Sequence, residues 1–157
     1  MLEKLKRKNY EVSINSAVKN LQDIAGIRVI CSYVQDVYTI ANLLVSQDDV
    51  HLVRMADYIR EPKPNGYRSL HLIVEIPVFL SEGRILVPVE VQIRTIAMDF
   101  WASLEHSLRY KAQEYIPQHI SDELQRVATD IASLDQRMQA IHDQVDELSD
   151  ARSDSAT

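Results

Sequence analysis

The chain has 157 residues, with 23 acidic and 17 basic side chains and a net charge of −6. A chain of this length usually forms one domain and buries enough surface for a core of its own. Its single cysteine, Cys31, excludes an internal disulfide, and no apolar run approaches the roughly 20 residues needed to span a bilayer. The start, MLEKLKRK, lacks the apolar segment of a secretory signal. We therefore expect a soluble, cytoplasmic protein.

The charge is distributed unevenly. Residues 112–157 hold ten acidic and three basic side chains, whereas residues 1–111 hold thirteen acidic and fourteen basic ones. Four basic residues of the first part lie close together in sequence: Arg54, Arg60, Lys63 and Arg68. The acidity therefore belongs to the tail, and the locally basic middle is typical of a site for a phosphorylated ligand.

Local patterns predict an alternation of helices and strands. The predicted strands cover 24–34, 50–59, about 68–78 and 84–94. The predicted helices cover 1–9, 13–22, 35–46 and 95–111. A turn at Ser81-Glu82-Gly83 joins the last two strands, and Pro88 makes the fourth strand an edge or introduces a bulge near its middle.

The fourth strand, RILVPVEVQIR, separates apolar from polar side chains. Val87, Val89, Val91 and Ile93 face one way, and Glu90, Gln92 and Arg94 face the other. The apolar side must be covered by helices, so the polar side is the natural floor of a cleft. An ordinary solvated sheet face is the open alternative.

Apolar residues recur at helical spacing in the last third of the chain. We expect a core stripe in the helix at 95–111, with Trp101 packed beside it: Ile96, Phe100, Leu104 and Leu108. Beyond Pro117, nine apolar residues repeat with 4-3 spacing: Ile120, Leu124, Val127, Ile131, Leu134, Met138, Ile141, Val145 and Leu148. That repeat predicts an apolar seam against another helix, in a helical hairpin or an oligomer interface. Packing within one chain is the open alternative.

Residues 61–72, EPKPNGYRSLHL, carry the densest set of chemically specific groups. Lys63 offers a compact charge, Tyr67 a flat ring, Arg68 a planar fork and His71 an imidazole. The dipeptide at 65–66, Asn-Gly, favours a turn. This stretch predicts a loop that grips a flat, anionic ligand, and a solvated surface hairpin is the alternative.

Two carboxylates are placed to complete such a site. Asp23 precedes the first strand, and Glu90 lies on the polar face of the fourth. Proteins usually hold Mg²⁺ with one or two carboxylates and a phosphate substrate. The site would then combine Mg²⁺ with Arg28, Lys63 and His71 around a polyphosphate. Each carboxylate taken alone is more often structural, and no Walker A, GxGxxG or Cys/His metal pattern is present.

Four stretches follow one another in a recognisable order: DIAGIRV at 23–29, KPNGYRSLHL at 63–72, VEVQIRT at 89–95 and DFWASLEH at 99–106. Together they resemble the RelA/SpoT-type synthetase domain, and most closely the small, RelQ-like alarmone synthetases. The resemblance covers about residues 20–111. It implies an α+β fold, with a mixed sheet flanked by helices as in nucleotidyltransferases, followed by C-terminal amphipathic helices.

The resemblance also implies a division of the chain. Residues 1–112 would form the synthetase domain, with part of its N-terminal region missing. Residues 113–150 would form a helical region through which that group assembles as tetramers, and residues 151–157 a disordered tail. No room exists for a hydrolase domain, so we expect synthesis without hydrolysis.

The implied reaction transfers the β,γ-pyrophosphate of ATP to the 3′-hydroxyl of GDP or GTP, giving (p)ppGpp. By motif, the two catalytic carboxylates Asp23 and Glu90 would bind Mg²⁺, and Glu90 would also be the candidate base. Six residues would contact nucleotide: Arg28 the adenine, Tyr67 the guanine, Lys63, His71 and Gln92 the phosphates or ribose, and Arg68 beside them.

Three features depart from the family pattern. The family has a further N-terminal segment that helps to hold ATP, and here only four basic residues could belong to its end: Lys4, Lys6, Arg7 and Lys8. Ala56 stands where a basic residue is common, and Asp99 stands where some members have Asn. Two alternatives remain open: pyrophosphate transfer to the 3′ end of tRNA, and a non-catalytic oligomeric module that binds nucleotide or single-stranded RNA.

Overall fold

The computed structural model describes residues 25–81, 83–112 and 116–154. Its strands are β1 (Ala25–Cys31), β2 (His51–Asp57), β3 (Leu70–Leu80) and β4 (Gly83–Thr95). Its helices are α1 (Val34–Val45), α2 (Ile96–Lys111) and α3 (Gln118–Asp154). The helices expected at 1–9 and 13–22, with Asp23 and Glu82, lie outside the described residues.

The four strands form one mixed sheet in the order β1-β4-β3-β2. β4 pairs in parallel with β1 and antiparallel with β3, which pairs antiparallel with β2. The α+β architecture with a mixed sheet is therefore confirmed. β4 is a central strand, and its register with β3 is unbroken, so the expectation of an edge or a bulge at Pro88 is wrong. In this register Pro88 stands opposite Glu75 of β3.

The core lies on one side of this sheet, under α1. Val89, Val91 and Ile93 of β4 are buried, as the alternation predicts. They pack with other buried side chains from β3 and α1: Leu70, Leu72, Val74, Val37 and Ala41. Because α1 covers this face, the opposite face of β4 is left for polar side chains.

The core stripe expected on α2 is wrong. Ile96, Phe100, Leu104 and Leu108 are 47–62% exposed. The helix instead buries Met98, Trp101, Ala102 and Glu105. Helix N-capping by Thr95 and a 3.0 Å hydrogen bond from the Trp101 indole to the Leu124 carbonyl oxygen fix this rotation. The apolar spacing is real, but it marks an outward face rather than the core.

α3 is one continuous helix of 37 residues, so no helical hairpin forms in the tail. It extends to Asp154, four residues into the stretch expected to be disordered. Ala128 and Asp135 are buried against the rest of the domain, and the Asp135 carboxylate accepts a 2.7 Å hydrogen bond from Thr95. Burial raises the pKa of Asp135, although the Thr95 hydrogen bond and the Arg68 charge act in the opposite direction.

Most of the 4-3 repeat stays outside this contact. Leu124 and Ile131 are half-buried beside Trp101, whereas the other seven apolar positions of the repeat are 38–65% exposed. Within the described part of the chain, no helix is both long and apolar enough to cross a membrane.

Candidate active site

Polar side chains from three strands meet over the middle of the sheet. Because β4 lies between β1 and β3, Gln92 is flanked by Arg28 on one side and by His71 on the other. Glu90 and Arg94 lie two residues before and after Gln92, on the same face. The central position of β4 is therefore what assembles this site.

Five side chains form a closed circuit of hydrogen bonds, which we call the polar ring: Tyr67, His71, Glu90, Gln92 and Arg94. In one arm, Tyr67 Oη lies 2.6 Å from Arg94 Nη2 and 2.8 Å from His71 Nε2. His71 Nδ1 then lies 3.1 Å from Glu90 Oε1. In the other arm, Arg94 Nη2 donates to Gln92 Oε1 at 2.6 Å, and Gln92 Nε2 donates to Glu90 Oε2 at 3.2 Å. Both arms therefore connect Arg94 to Glu90.

Arg94 is buried, and a carboxylate balances its charge. Its Nη1 lies 3.1 Å from Asp99 Oδ1, and only 6% of its side chain is exposed. The same Asp99 oxygen lies 3.4 Å from Arg28 Nη1, but the Arg28 side chain is 52% exposed. Asp99 therefore bridges one fixed guanidinium and one that is open to solvent.

His71 lies among several charges. Burial lowers the pKa of its imidazole below the usual value of 6.5 and outweighs the opposing effect of Glu90. The positive charges of Lys63 and Arg94 lower the pKa further. Burial and the neighbouring positive charges therefore disfavour the imidazolium form of His71.

The loop before β3 presents Lys63 and Tyr67 to this face. Backbone hydrogen bonds from Lys63 to the Tyr67 carbonyl (3.1 Å) and from Gly66 to the Lys63 carbonyl (2.8 Å) close a tight turn. Gly66 has φ +88°, which suits glycine. The Lys63 ammonium lies 4.7 Å from the centre of the Tyr67 ring and 4.4 Å from that of Tyr58.

A cleft of about 370 Å³ opens between the sheet and α2. Its lining combines a flat ring, two guanidiniums and a carboxylate, from Arg28, Tyr67, Arg94, Ala102, Ser103, Glu105 and His106. Glu105 is itself anchored, because it accepts a 3.1 Å hydrogen bond from Asn65 and pairs with Arg109. Ligand pockets commonly have about this volume and combine apolar walls with a few fixed polar groups.

The described residues can supply a magnesium ion with only a few oxygen ligands. Among the described residues, no group of three or more His, Cys, Asp or Glu side chains is arranged to hold a metal. Glu90 is 22% exposed, and each of its carboxylate oxygens accepts one hydrogen bond. It can therefore supply one ligand, which suits Mg²⁺ sites completed by water and substrate phosphates.

Comparison with known proteins places this arrangement in a family. The family model for a "Region found in RelA / SpoT proteins" matches residues 1–115. The chain belongs to the RelA/SpoT family.

Two Bacillus subtilis (strain 168) relatives match nearly the whole chain. GTP pyrophosphokinase YwaC is 47% identical over 146 residues, covering 93% of this chain and 70% of YwaC. GTP pyrophosphokinase YjbM is 41% identical over 147 residues, covering 94% of this chain and 68% of YjbM.

Solved structures agree with the sequence matches. The small alarmone synthetase 2 from Bacillus subtilis superimposes with a TM-score of 0.83 at 46% identity, covering 90% of this chain and 73% of that one. The small alarmone synthetase 1, bound to its product pppGpp, gives a TM-score of 0.83 at 41% identity, covering 92% and 73%.

In this RelA/SpoT-family chain, most predicted site residues come together. Tyr67, His71, Glu90 and Gln92 form four-fifths of the polar ring. The Lys63 ammonium lies over the Tyr67 ring, and Arg28 pairs with Asp99, which also pairs with Arg94 of the polar ring. The predicted metal ligand and catalytic residue Asp23 lies outside the described residues.

The side chain of Arg68 does not lie with the other predicted site residues. Its Nη2 lies 3.5 Å from the Ile59 carbonyl oxygen, and its side chain lines a small cavity with Met98 and Ala128. Within the described residues, no hydrogen-bond partner reaches its buried Nη1. Arg68 follows Tyr67 directly, but its side chain lies against α3 whereas that of Tyr67 lies in the polar ring.

The sequence pattern alone did not reveal the contacts that Arg94 and Asp99 make in the site. The alternation of β4 places Arg94 beside Gln92, but residue type alone did not distinguish it from a solvated charge. Asp99 lies in the first turn of α2, one turn beyond the end of β4, where a side chain can reach back over the sheet. A search for charged residues just after the polar strand would have found it.

The close approach of the site loop to α3 predicts an unusually costly glycine substitution. In Gly66→Ala, the new Cβ would lie 2.5 Å from the Ala128 Cβ, at φ +88°. We expect about 1–3 kcal/mol of backbone strain and a further loss of about 1–3 kcal/mol from overpacking. Urea unfolding followed by circular dichroism measures the total.

Gly83→Ala is the matched control. Gly83 also has positive φ, +127°, but no atom lies within 4 Å of an added Cβ. It should lose only the strain contribution, and Ala128→Gly should recover part of the stability lost in Gly66→Ala. Equal losses for the two glycine variants would show that Gly66 does not pack closely on α3.

Proposed function

We propose that this chain is a GTP pyrophosphokinase that uses the polar ring and the adjoining cleft. It transfers the β,γ-pyrophosphate of ATP to the 3′-hydroxyl of GDP or GTP and makes (p)ppGpp. The carrying observation is the position of Glu90: His71 connects it by hydrogen bonds to Tyr67, which lines the cleft, in a chain 47% identical to a GTP pyrophosphokinase. The structural relative crystallised with its product pppGpp supports the same reaction.

On the acceptor side, Tyr67 offers its ring to the guanine and Lys63 its ammonium to the phosphates. The Lys63 ammonium lies 4.7 Å from the Tyr67 ring centre. Tyr67 can therefore bind the base while Lys63 neutralises charge on the phosphates of the same nucleotide. His71 and Gln92 lie on the ribose side, beside Glu90. Arg68 is left out of this site because of its position against α3.

Glu90 is the base in this scheme. Its carboxylate accepts the proton of the 3′-hydroxyl, and the oxygen forms a bond to the β-phosphorus of ATP. The bond between that phosphorus and the oxygen bridging to the α-phosphate breaks, and AMP leaves. Such a transfer depends mainly on positioning and on charge stabilisation.

The donor ATP lies on the β1 side of the sheet. The exposed Arg28 guanidinium is available to the adenine. Its Nη1 lies 3.4 Å from Asp99 Oδ1, which holds the guanidinium at the cleft. Mg²⁺ would be held by Asp23 and Glu90, where it would neutralise charge on the phosphates. The near-neutral charge of residues 1–111 favours a nucleotide over a long polyanion as the acceptor.

The exposed part of the 4-3 repeat supports assembly with further copies of the chain, as a tetramer. Its exposed apolar side chains extend along α3 from Ile120 to Leu148, whereas Ala128 and Asp135 are buried against the chain's own domain. A coiled-coil seam is filled by a helix that carries the same repeat. A second copy supplies such a helix.

Glu90→Gln tests the catalytic proposal. The amide keeps the size of the side chain but cannot take the proton, so kcat with ATP, GDP and Mg²⁺ should fall by about 10²–10⁴-fold. Formation of AMP and ppGpp, followed by chromatography, measures the loss. Circular dichroism should show an unchanged fold.

Glu75→Gln provides the matched control. Glu75 is a half-buried glutamate of β3, outside the polar ring, and its loss removes the same charge. It should retain the parent's kcat. Full turnover in Glu90→Gln would show that the base is another group.

The seam is tested by Leu134→Glu combined with Ile141→Glu. Both side chains are about half exposed in the single chain, so the charges should leave the domain folded and disrupt the interface. Light scattering should show a parent oligomer and a variant of lower molar mass.

Ser133→Glu combined with Gln144→Glu adds the same charge at exposed positions of α3 outside the repeat. This control should keep the parent's mass. A monomeric parent at micromolar concentration would contradict assembly through the seam.

A further inference from the structure

The polar ring has a direction, and Arg94 determines it. A guanidinium carries only donors, and Arg94 Nη2 lies 2.6 Å from both Tyr67 Oη and Gln92 Oε1. Each of the two Nη2 hydrogens is therefore donated to one of these oxygens. Tyr67 and Gln92 consequently act as acceptors on the Arg94 side of the ring.

In each arm, the next group donates a hydrogen bond in the direction of Glu90. With its oxygen accepting from Arg94, the Tyr67 hydroxyl directs its single hydrogen to His71 Nε2 at 2.8 Å. With Nε2 accepting from Tyr67 and the Glu90 carboxylate able only to accept, the ring proton lies on Nδ1, which donates to Glu90 Oε1 at 3.1 Å. In the other arm, the Gln92 amide nitrogen donates to Glu90 Oε2 at 3.2 Å. Glu90 therefore receives a hydrogen bond on each oxygen, and both chains begin at Arg94.

We propose that Arg94 is a positioning residue for pyrophosphate transfer, and that it acts on Glu90 through the Tyr67 hydroxyl and the Gln92 amide. Tyr67 thus has two separable parts: a ring that faces the cleft, and a hydroxyl that sets the tautomer of His71. The catalytic part of this inference rests on the function proposed above. The direction of the ring rests on geometry alone.

The surroundings of Arg94 explain why a lysine could not replace it. Besides the two arms, its Nη1 pairs with Asp99 at 3.1 Å, and its Nε lies 3.4 Å from Ser69 Oγ. A planar fork addresses these partners from one fixed position, whereas an ammonium is a single point charge on a flexible stem. Arg94→Lys keeps the charge and should still fail to hold both arms.

Tyr67→Phe separates the two parts of the tyrosine. The ring remains for the guanine, so the KM for GDP should stay close to the parent's. The link to His71 is lost, and a misoriented base should lower kcat by about 10- to 100-fold. Arg94→Lys should lower kcat in the same way.

Tyr38→Phe is the matched control. It removes a hydroxyl that donates to Asp57 at 3.1 Å, outside the polar ring. It loses a hydrogen bond of similar length to a carboxylate, and kcat should not change. A rise in the KM of Tyr67→Phe at constant kcat would assign the hydroxyl to binding and overturn the positioning role.

Nitrogen-15 NMR of the protein without nucleotide tests the direction independently of activity. The parent should show the His71 tautomer with the proton on Nδ1, and Tyr67→Phe should shift the balance toward the other tautomer. A proton on Nε2 in the parent would overturn the proposed direction, whatever the kinetics. A parent that shows the expected tautomer but makes no ppGpp would refute the proposed function and leave the ring's direction standing.

Discussion

The guanidinium of Arg94 lies buried in the middle of the sheet's polar face, and burying a charge is costly unless acceptors surround it. Asp99 supplies a carboxylate at 3.1 Å, and Tyr67 and Gln92 each supply an oxygen at 2.6 Å. These partners come from α2, from the loop before β3 and from β4 itself. One buried cation therefore contacts three separate parts of the chain, and removal of its fork would cost Asp99, Tyr67 and Gln92 one hydrogen bond each.

The order of the strands makes this possible. With β4 between β1 and β3, Gln92 has Arg28 on one side and His71 on the other. α3 then supports the site loop from outside, because Gly66 packs against Ala128. The helix that carries the exposed apolar seam is thus also the helix that holds the loop presenting Lys63 and Tyr67.

The sequence predicts the strands and their faces well because a period of two leaves little choice. Val89, Val91 and Ile93 are buried as expected, and Glu90 and Gln92 lie opposite them. Periodicity does not predict which face of a helix packs against the rest of the domain. The α2 stripe that begins at Ile96 has the spacing of a core stripe but faces outward, since spacing does not reveal which surface is covered.

The site shows the same limit. A loop rich in functional groups predicts a ligand-binding loop, but it does not show that the Arg68 side chain lies against α3 and away from the polar ring. The ring itself depends on distances between strands that lie far apart in sequence, such as the 3.1 Å contact of His71 with Glu90. No local pattern contains that information. The family resemblance supplied Glu90, Gln92 and His71 together, and only the structure shows how Arg94 connects them.

In the proposed reaction, the polar face of this sheet directs ATP's pyrophosphate onto a guanosine nucleotide. Phosphorus-31 NMR of the protein incubated with ATP, GDP and Mg²⁺ tests it most directly, because it identifies every phosphate product. We expect one AMP for each GDP consumed, with a pyrophosphate on the 3′-oxygen of the product. Formation of ADP, or of free pyrophosphate with GDP unchanged, would show that the protein does not transfer pyrophosphate to a guanosine nucleotide.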